Sequence, residues 1–294
     1  MKKYVFEKTG LEVSPLCFGT WQLGGFPFFK DFDREKAQKL LNDILDLGIN
    51  FIDTAPLYGF GLSEEILGEV ISSRRQDVVI STKCGLKWGK KSLSDVHKCA
   101  QRDFIFQDCE RSLKRLKTDF IDIYLLHWPD PEVPLKESLE ALQSLKERGY
   151  INYLGVSNFS LDQLKEATNY AEIFCLQGRL SRLRQEVTPE IRNFCMERNI
   201  AIQAYSPLER GLLTNRKVEN LKAKNEAAIN WAIKNAPEGY EKNIHAWEKE
   251  AENDSLSFAQ ASLKWVFDLE GVSSLIVGST SLNNIKECMG PFLQ

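Results

Sequence analysis

Four residues able to move protons or hold charge each stand where an apolar run stops. Asp53 ends INFID, Tyr58 follows it in APLYG, Lys83 comes directly after VVIST, and His127 ends IDIYLLH. A phenol with an ordinary pKa of about 10 is a weak proton donor at neutral pH. An ammonium beside it stabilises the phenolate and draws that pKa towards the working range. Lys83 then needs a counter-ion in a partly buried site, which Asp53 can supply. His127 can orient a carbonyl or complete the proton path. With no serine, cysteine or metal in the group, the natural reaction is protonation of a carbonyl oxygen while hydride arrives at carbon. Hydride requires a nicotinamide or flavin cofactor. Taken singly, each residue has an ordinary account: Asp53 as a helix cap, Lys83 snorkelling to solvent, His127 as a hydrogen-bonded core histidine. Packing alone does not require an acid, a base and an imidazole from three adjacent runs, with a tyrosine between them.

Those residues need a frame that brings distant run ends together. Apolar runs of strand length recur at 17–19, 49–53, 77–82, 121–127, 151–157, 172–177, 200–206 and 273–279. They are rich in Val, Ile and Leu without polar alternation, as parallel strands covered on both faces are. Amphipathic helical patterns lie between them. One is Ala37, Leu40, Leu41, Ile44 and Leu45, introduced by Asp33 and stopped at Gly48. Ser160-x-x-Gln163 and Ser257-x-x-Gln260 read as capping boxes, and Thr188-Pro189 as a cap followed by proline at the first helical position. Eight strand-helix repeats predict an α/β fold, a (β/α)8 TIM barrel over residues 1–294. A short N-terminal β-hairpin, Tyr4 to Val13 turning on Thr9-Gly10, should precede it. A doubly wound open sheet is the alternative, but no G-x-G-x-x-G follows the first run. In such a barrel the site lies at the carboxyl ends of the strands, where all four residues fall. Residues 214–254, broken at Ala236-Pro237-Glu238-Gly239, read as a variable loop and helical insertion without apolar residues for a core of its own.

A net charge of -3, with 27% charged and 43% hydrophobic residues, points away from nucleic acid and anionic membranes and towards a small-molecule partner. The opening MKKYVFEKTG has no apolar stretch after its lysines, and no run of about 18 apolar residues occurs, so the expected location is the cytoplasm. Seven cysteines without a C-x-x-C pair read as reduced thiols, and no cluster of metal ligands is present. The two glycosylation sequons, at Asn158 and Asn253, are then chance matches.

FIDTAPLYG, ISTKCG, DFIDIYLLHWPD, LGVSNFS, AYSPLERGLL and IVGSTSLNNIKE resemble, in order, the successive signatures of the aldo-keto reductase superfamily. The resemblance implies a catalytic tetrad of Asp53, Tyr58, Lys83 and His127, with Tyr58 as the acid. It also implies a dinucleotide site. Ser157, Asn158 and Gln177 would hold the nicotinamide carboxamide, Tyr205 would stack under the ring, and Gly19, Thr20 and Trp21 would contact the cofactor from the first strand. Ser206, Leu208 and Arg210 would meet the pyrophosphate, and the insertion would fold over the bound dinucleotide. Gly278, Ser279, Thr280 and Asn284 would face the adenosine end, with Glu287 on the adenine and Cys288 in place of the usual Asn. The expected cofactor is NADPH, with NADH also usable, because Gly278 to Asn284 lack the Lys or Arg that many members aim at the 2′-phosphate.

Trp21, Phe28, Tyr58, Trp88, His127 and Trp128 are the expected walls of a pocket for an aldehyde or ketone, with Phe26, Phe29 and Phe60 nearby. The chain ends seven residues after Glu287, and the short tail implies an open pocket mouth. A monomer is expected. Two other readings stay open: a dinucleotide-binding regulatory subunit resembling potassium-channel β subunits, and an aldolase forming a Schiff base at Lys83.

Overall fold

The computed structural model describes residues 3–6, 10–27, 29, 32–215 and 227–293. An antiparallel hairpin comes first, β1 (Tyr4–Phe6) against β2 (Leu11–Val13), with Tyr4 opposite Val13. Its turn includes Gly10 at φ +67°, while Thr9 lies outside the described residues. The barrel begins with β3 (Leu16–Gly19), β4 (Phe51–Asp53) and β5 (Val79–Cys84). A two-residue ribbon that the sequence patterns do not signal follows, β6 (Leu86–Lys87) against β7 (His97–Lys98). The barrel resumes with β8 (Ile121–Leu126), β9 (Ile151–Ser157), β10 (Cys175–Arg179), β11 (Ala201–Tyr205) and β12 (Val272–Val277). All eight barrel strands are parallel, and β12 pairs back onto β3.

The α-helices among the described residues are α1 (Arg34–Asp46), α2 (Leu62–Ile71), α3 (Arg102–Leu116), α4 (Leu135–Glu147), α5 (Leu161–Ala167) and α6 (Pro189–Glu197), then α7 (Ala227–Lys234), α8 (Tyr240–Asn253), α9 (Phe258–Phe267) and α10 (Leu282–Met289). Their ends follow the side chains that the sequence supplies. Asp33 accepts the Lys36 N–H to start α1, Thr188 accepts that of Ile191 ahead of Pro189, and Ser160 and Ser257 form complete capping boxes with Gln163 and Gln260.

Side-chain alternation along the strands divides the core in two. Outward residues such as Phe18, Ile52, Ile80, Tyr124 and Leu126 pack against helix residues such as Leu41, Ile44, Leu67 and Leu142. Inward residues Cys17, Phe51, Val79, Ile123, Leu125, Cys175, Ala201 and Ile276 fill the barrel, and Phe6 and Val13 of the hairpin join them. The hairpin therefore plugs one end. Inward residues one or two steps further along the strands are polar: Asp53, Lys83, Gln177 and Gln203. The barrel thus has an apolar interior topped by a polar layer at the carboxyl ends.

Within the expected insertion, residues 227–234 and 240–253 form two helices, and their apolar faces are covered rather than solvated. Ile229, Ala232, Tyr240, Ile244 and Ala251 pack with Leu212, Leu213 and Phe258 into a third cluster. The sequence expectation counted only the segment's own apolar residues, whereas flanking residues complete this core. Residues 216–226 of the insertion lie outside the described residues.

Candidate active site

Asp53 and Lys83 sit on β4 and β5, both inward, and are 2% and 1% exposed. Lys83 Nζ donates to Asp53 Oδ1 and Oδ2 at 2.9 and 2.8 Å and to the Thr54 carbonyl at 2.9 Å. Burial works against the ammonium, but Asp53 and Tyr58 together outweigh it and hold the Lys83 pKa above the ordinary lysine value. A protonated, triply bonded amine is no nucleophile, which counts against a Schiff base at this position.

Tyr58 stands beside this pair, with Lys83 Nζ 5.2 Å from its ring centroid. Its loop is fixed by contact between backbones. Gly59 has φ +64°, and a Cβ there would fall 1.9 Å from the Gly24 carbonyl oxygen, so only glycine lets the loop lie this close to the turn after Trp21. Burial pushes the Tyr58 phenol up, Lys83 pulls it down, and Asp53 adds to the rise. The net shift is upward. The ammonium acts in the expected direction, towards a lower pKa, while desolvation of the phenol is larger.

His127 follows β8, its backbone N–H bonded to the Cys84 carbonyl at 3.0 Å. Burial, then the Lys83 charge, lowers its pKa well below the usual value, so the imidazole is neutral at pH 7. A neutral ring can donate a hydrogen bond to a carbonyl oxygen without competing with Tyr58 as the acid.

A hydrogen-bonded frame stands behind the four. The Thr20 N–H and hydroxyl bond to the Asp53 carbonyl at 2.9 and 3.0 Å, and the Ser63 hydroxyl lies 2.7 Å from Thr20 Oγ1 and 3.1 Å from Thr54 Oγ1. Thr20 is fully buried. Its side chain is spent on holding the Asp53 carbonyl and Ser63.

A model of the aldo/keto reductase family matches residues 15–293. The chain belongs to the aldo/keto reductase family. The aldo-keto reductase YhdN of Bacillus subtilis is 38% identical over 213 residues, 72% of this chain and 63% of its own length, so that match spans less than two thirds of the relative. The NADH-specific methylglyoxal reductase of Escherichia coli is 30% identical over 98% of this chain and 92% of its own length. A probable voltage-gated potassium channel β subunit of Arabidopsis thaliana is 31% identical over 96% of this chain and 88% of its own length. Among solved structures, the glycerol dehydrogenase of Gluconobacter oxydans superposes with a TM-score of 0.84 at 29% identity, covering 99% of this chain and 90% of that one.

The remaining positions of this family member fall into three groups. At the ends of β9 to β11, Asn158, at φ +62°, donates through Nδ2 to the His127 carbonyl and Ser157 Oγ at 2.9 and 3.0 Å, and accepts from the Tyr205 hydroxyl at 2.8 Å. Gln177 donates to Asp53 Oδ1 at 2.8 Å and to Gln203 Oε1 at 3.1 Å.

After β11, Ser206, Glu209 and Arg210 all have positive φ, in an irregular turn that includes Leu208. Glu209, 1% exposed, takes Arg179 bidentately at 3.2 and 2.6 Å and the Ser181 hydroxyl at 2.8 Å, with Arg184 at 3.9 Å. The guanidinium of Arg210 lies 4.9 Å from the Trp21 ring and 4.3 Å from that of Trp231, which Arg179 and Arg184 also face. Burial, then Arg179, brings the Arg210 pKa down to about 10. Arg179 and Arg184 pair with Glu209, and all three guanidiniums gather at the Trp231 ring. Sequence reasoning found only Arg210 among them, although Arg179 lies two residues after Gln177 on the same inward face.

At the end of β12, expected to face an adenosine, Ser279 Oγ accepts from the Ser281 N–H and Asn284 Nδ2 at 3.0 and 3.2 Å. Thr280 is exposed, Glu287 half-buried, and Cys288 packs in the core. A Cβ on Gly278 would fall 2.6 Å from the Gly19 carbonyl, so these two strand ends meet backbone to backbone. Of the pocket walls, Trp21 packs edge-on to Phe29, Trp88 edge-on to Phe60, and Trp128 is 39% exposed beside Lys98. Phe28 lies outside the described residues. Among the described residues no group of His, Cys, Asp or Glu could hold a metal ion.

Proposed function

We propose that this aldo/keto reductase reduces an aldehyde or ketone to the alcohol at the Asp53, Tyr58, Lys83 and His127 site, using a reduced nicotinamide dinucleotide. The observation that carries the reading is what the strand ends have left to offer a ligand. Both N–H groups of Asn158 and both of Gln177 are spent inside the protein. What remains is the Ser157 hydroxyl proton, one lone pair on Asn158 Oδ1, and Gln177 Oε1. One donor and two acceptors complement a primary carboxamide, which carries one carbonyl and two N–H groups. The arginine cluster supports the same reading, since three guanidiniums gathered at the Trp231 ring beside an irregular turn suit a pyrophosphate.

When bound, the cofactor supplies hydride to the carbonyl carbon. Tyr58 gives its proton to the carbonyl oxygen, and the resulting phenolate is stabilised by the Lys83 ammonium. Asp53 keeps that ammonium charged, and neutral His127 holds the carbonyl oxygen in place. Trp21, Trp88 and Trp128 wall the pocket and suit a small apolar or sugar-like carbonyl compound. The relatives named for methylglyoxal and glycerol point to the small end of that range.

Residues 214–254 serve in this reading as an insertion over the cofactor within one domain of 1–294. No described helix is long and apolar enough to cross a membrane, and all seven cysteines are free and buried, which supports the cytoplasm. We read the chain as a monomer. A panel of aldehydes, ketones and sugars, followed by loss of reduced-nicotinamide absorbance, tests the activity. Absence of turnover on every member, together with a channel partner co-eluting in size exclusion, would favour the regulatory-subunit reading instead.

A further inference from the structure

Gln203 is a polar side chain in a place that packing would give to leucine. It lies on β11 facing inward, is 0% exposed, and sits directly beside Gln177 in the strand register. Its Nε2 reaches only the weak acceptor Cys175 Sγ at 3.5 Å, while its Oε1 accepts from Gln177 Nε2 at 3.1 Å. Burying an amide costs free energy unless it is hydrogen-bonded, so its one strong bond needs a reason.

The reason lies in the donor and acceptor order of the row. The Asp53 carboxylate, paired with Lys83, can only accept, so Gln177 must turn its NH2 towards it. The second N–H of that NH2 then needs an acceptor away from the pocket. Gln203 Oε1 provides it, and two bonds fix the plane of the Gln177 amide. We propose that Gln203 is a positioning residue: it holds Gln177 so that the pocket meets a carbonyl oxygen and not an N–H. The orientation matters for a ligand that brings N–H groups, so this inference rests on the carboxamide reading above. It also joins cofactor recognition to the tetrad, because the same Gln177 amide holds Asp53.

The experiment compares two probes on the whole protein by quenching of tryptophan fluorescence: reduced nicotinamide adenine dinucleotide, and its reduced 3-acetylpyridine analogue. The analogue keeps the acceptor oxygen and has a methyl group in place of the NH2. The wild type is expected to bind the nicotinamide form about tenfold more tightly, equivalent to ~1.4 kcal/mol. Gln203→Leu frees Gln177 to turn its second N–H towards the pocket, and the ratio should fall to about threefold, with the Asn158 acceptor still reading the NH2. Gln203→Met, unbranched and of similar length, repeats the test if the leucine variant fails to fold. A wild type that binds both probes equally, or a folded variant with the wild-type ratio, overturns the inference. A wild type that binds neither probe overturns the cofactor reading itself.

Discussion

Replacing Asp53 by asparagine keeps the shape of the side chain and removes the charge facing Lys83. Lys83 is 1% exposed, and among the described residues Asp53 is the carboxylate that bonds its ammonium. Breaking a buried ion pair at one end typically costs about 3–5 kcal/mol. A ceiling follows from ionisation, because the lysine can escape by losing its proton. From an ordinary pKa of 10.5, that costs about 5 kcal/mol at pH 7 and about 2 kcal/mol at pH 9, at 1.36 kcal/mol per pH unit. The destabilisation of Asp53→Asn should therefore be largest near neutrality and shrink as the pH rises.

The signs are opposite in the two proteins. In the wild type the folded pKa of Lys83 is raised, so its contribution is fully present below the unfolded value and is lost only as the pH rises through the folded one, above about 10.5. Between pH 7 and 9 this group leaves wild-type stability flat. In the variant, burial acts without Asp53 and depresses the folded pKa. The unfolded chain then binds more protons, and stability increases with pH across that window. Urea unfolding of both proteins at pH 7, 8 and 9 measures the gap, expected at about 3–5 kcal/mol and then falling towards about 2 kcal/mol. A gap that stays constant within error over the three pH values would refute the assignment of Asp53 as the counter-ion that keeps Lys83 charged.

Tyr58→Phe should retain cofactor binding and lose a factor of about 10² to 10⁴ in turnover; more than half the activity on every reduced substrate would show that the acid is elsewhere. In Lys83→Met the phenol loses the charge that lowers its pKa, so the alkaline limb of the residual pH profile should move upward, and an unmoved limb would mean that Lys83 does not tune Tyr58. Because Gly278 to Asn284 include no cation and Ser279 is engaged by Ser281 and Asn284, NADPH should be preferred over NADH by less than about tenfold. A thousandfold preference in fluorescence titration would show that Lys286, or Arg216 and Lys217 outside the described residues, supplies the missing charge.

What could be read in the sequence, and what could not, follows from the reach of each interaction. The eight strands were legible because each is buried on both faces and so leaves a continuous apolar run, even where the strand begins three residues and ends two residues later than the run, as at Cys175–Arg179. The β6–β7 ribbon was not, since two-residue strands in which only Leu86 is buried leave no such mark. The tetrad was legible because a polar residue at the end of an apolar run is conspicuous by itself. Its supports are conspicuous only in pairs. Ser63 matters because it meets Thr20, 43 residues away, and Gln177 because it meets Asp53 at a separation of 124.

Gln203 is an intermediate case that strand alternation could have exposed. In IAIQAY it lies between Ala201 and Tyr205 on the inward face, as Gln177 lies between Cys175 and Arg179. Two glutamines at the same level of neighbouring strands, one step beyond the apolar interior, cannot both be fillers, because each must find hydrogen bonds inside a closed barrel. Strand alternation alone therefore implies that they bond to each other. Which one faces Asp53 and which stands behind depends on the closure of the barrel, which no single run of residues contains.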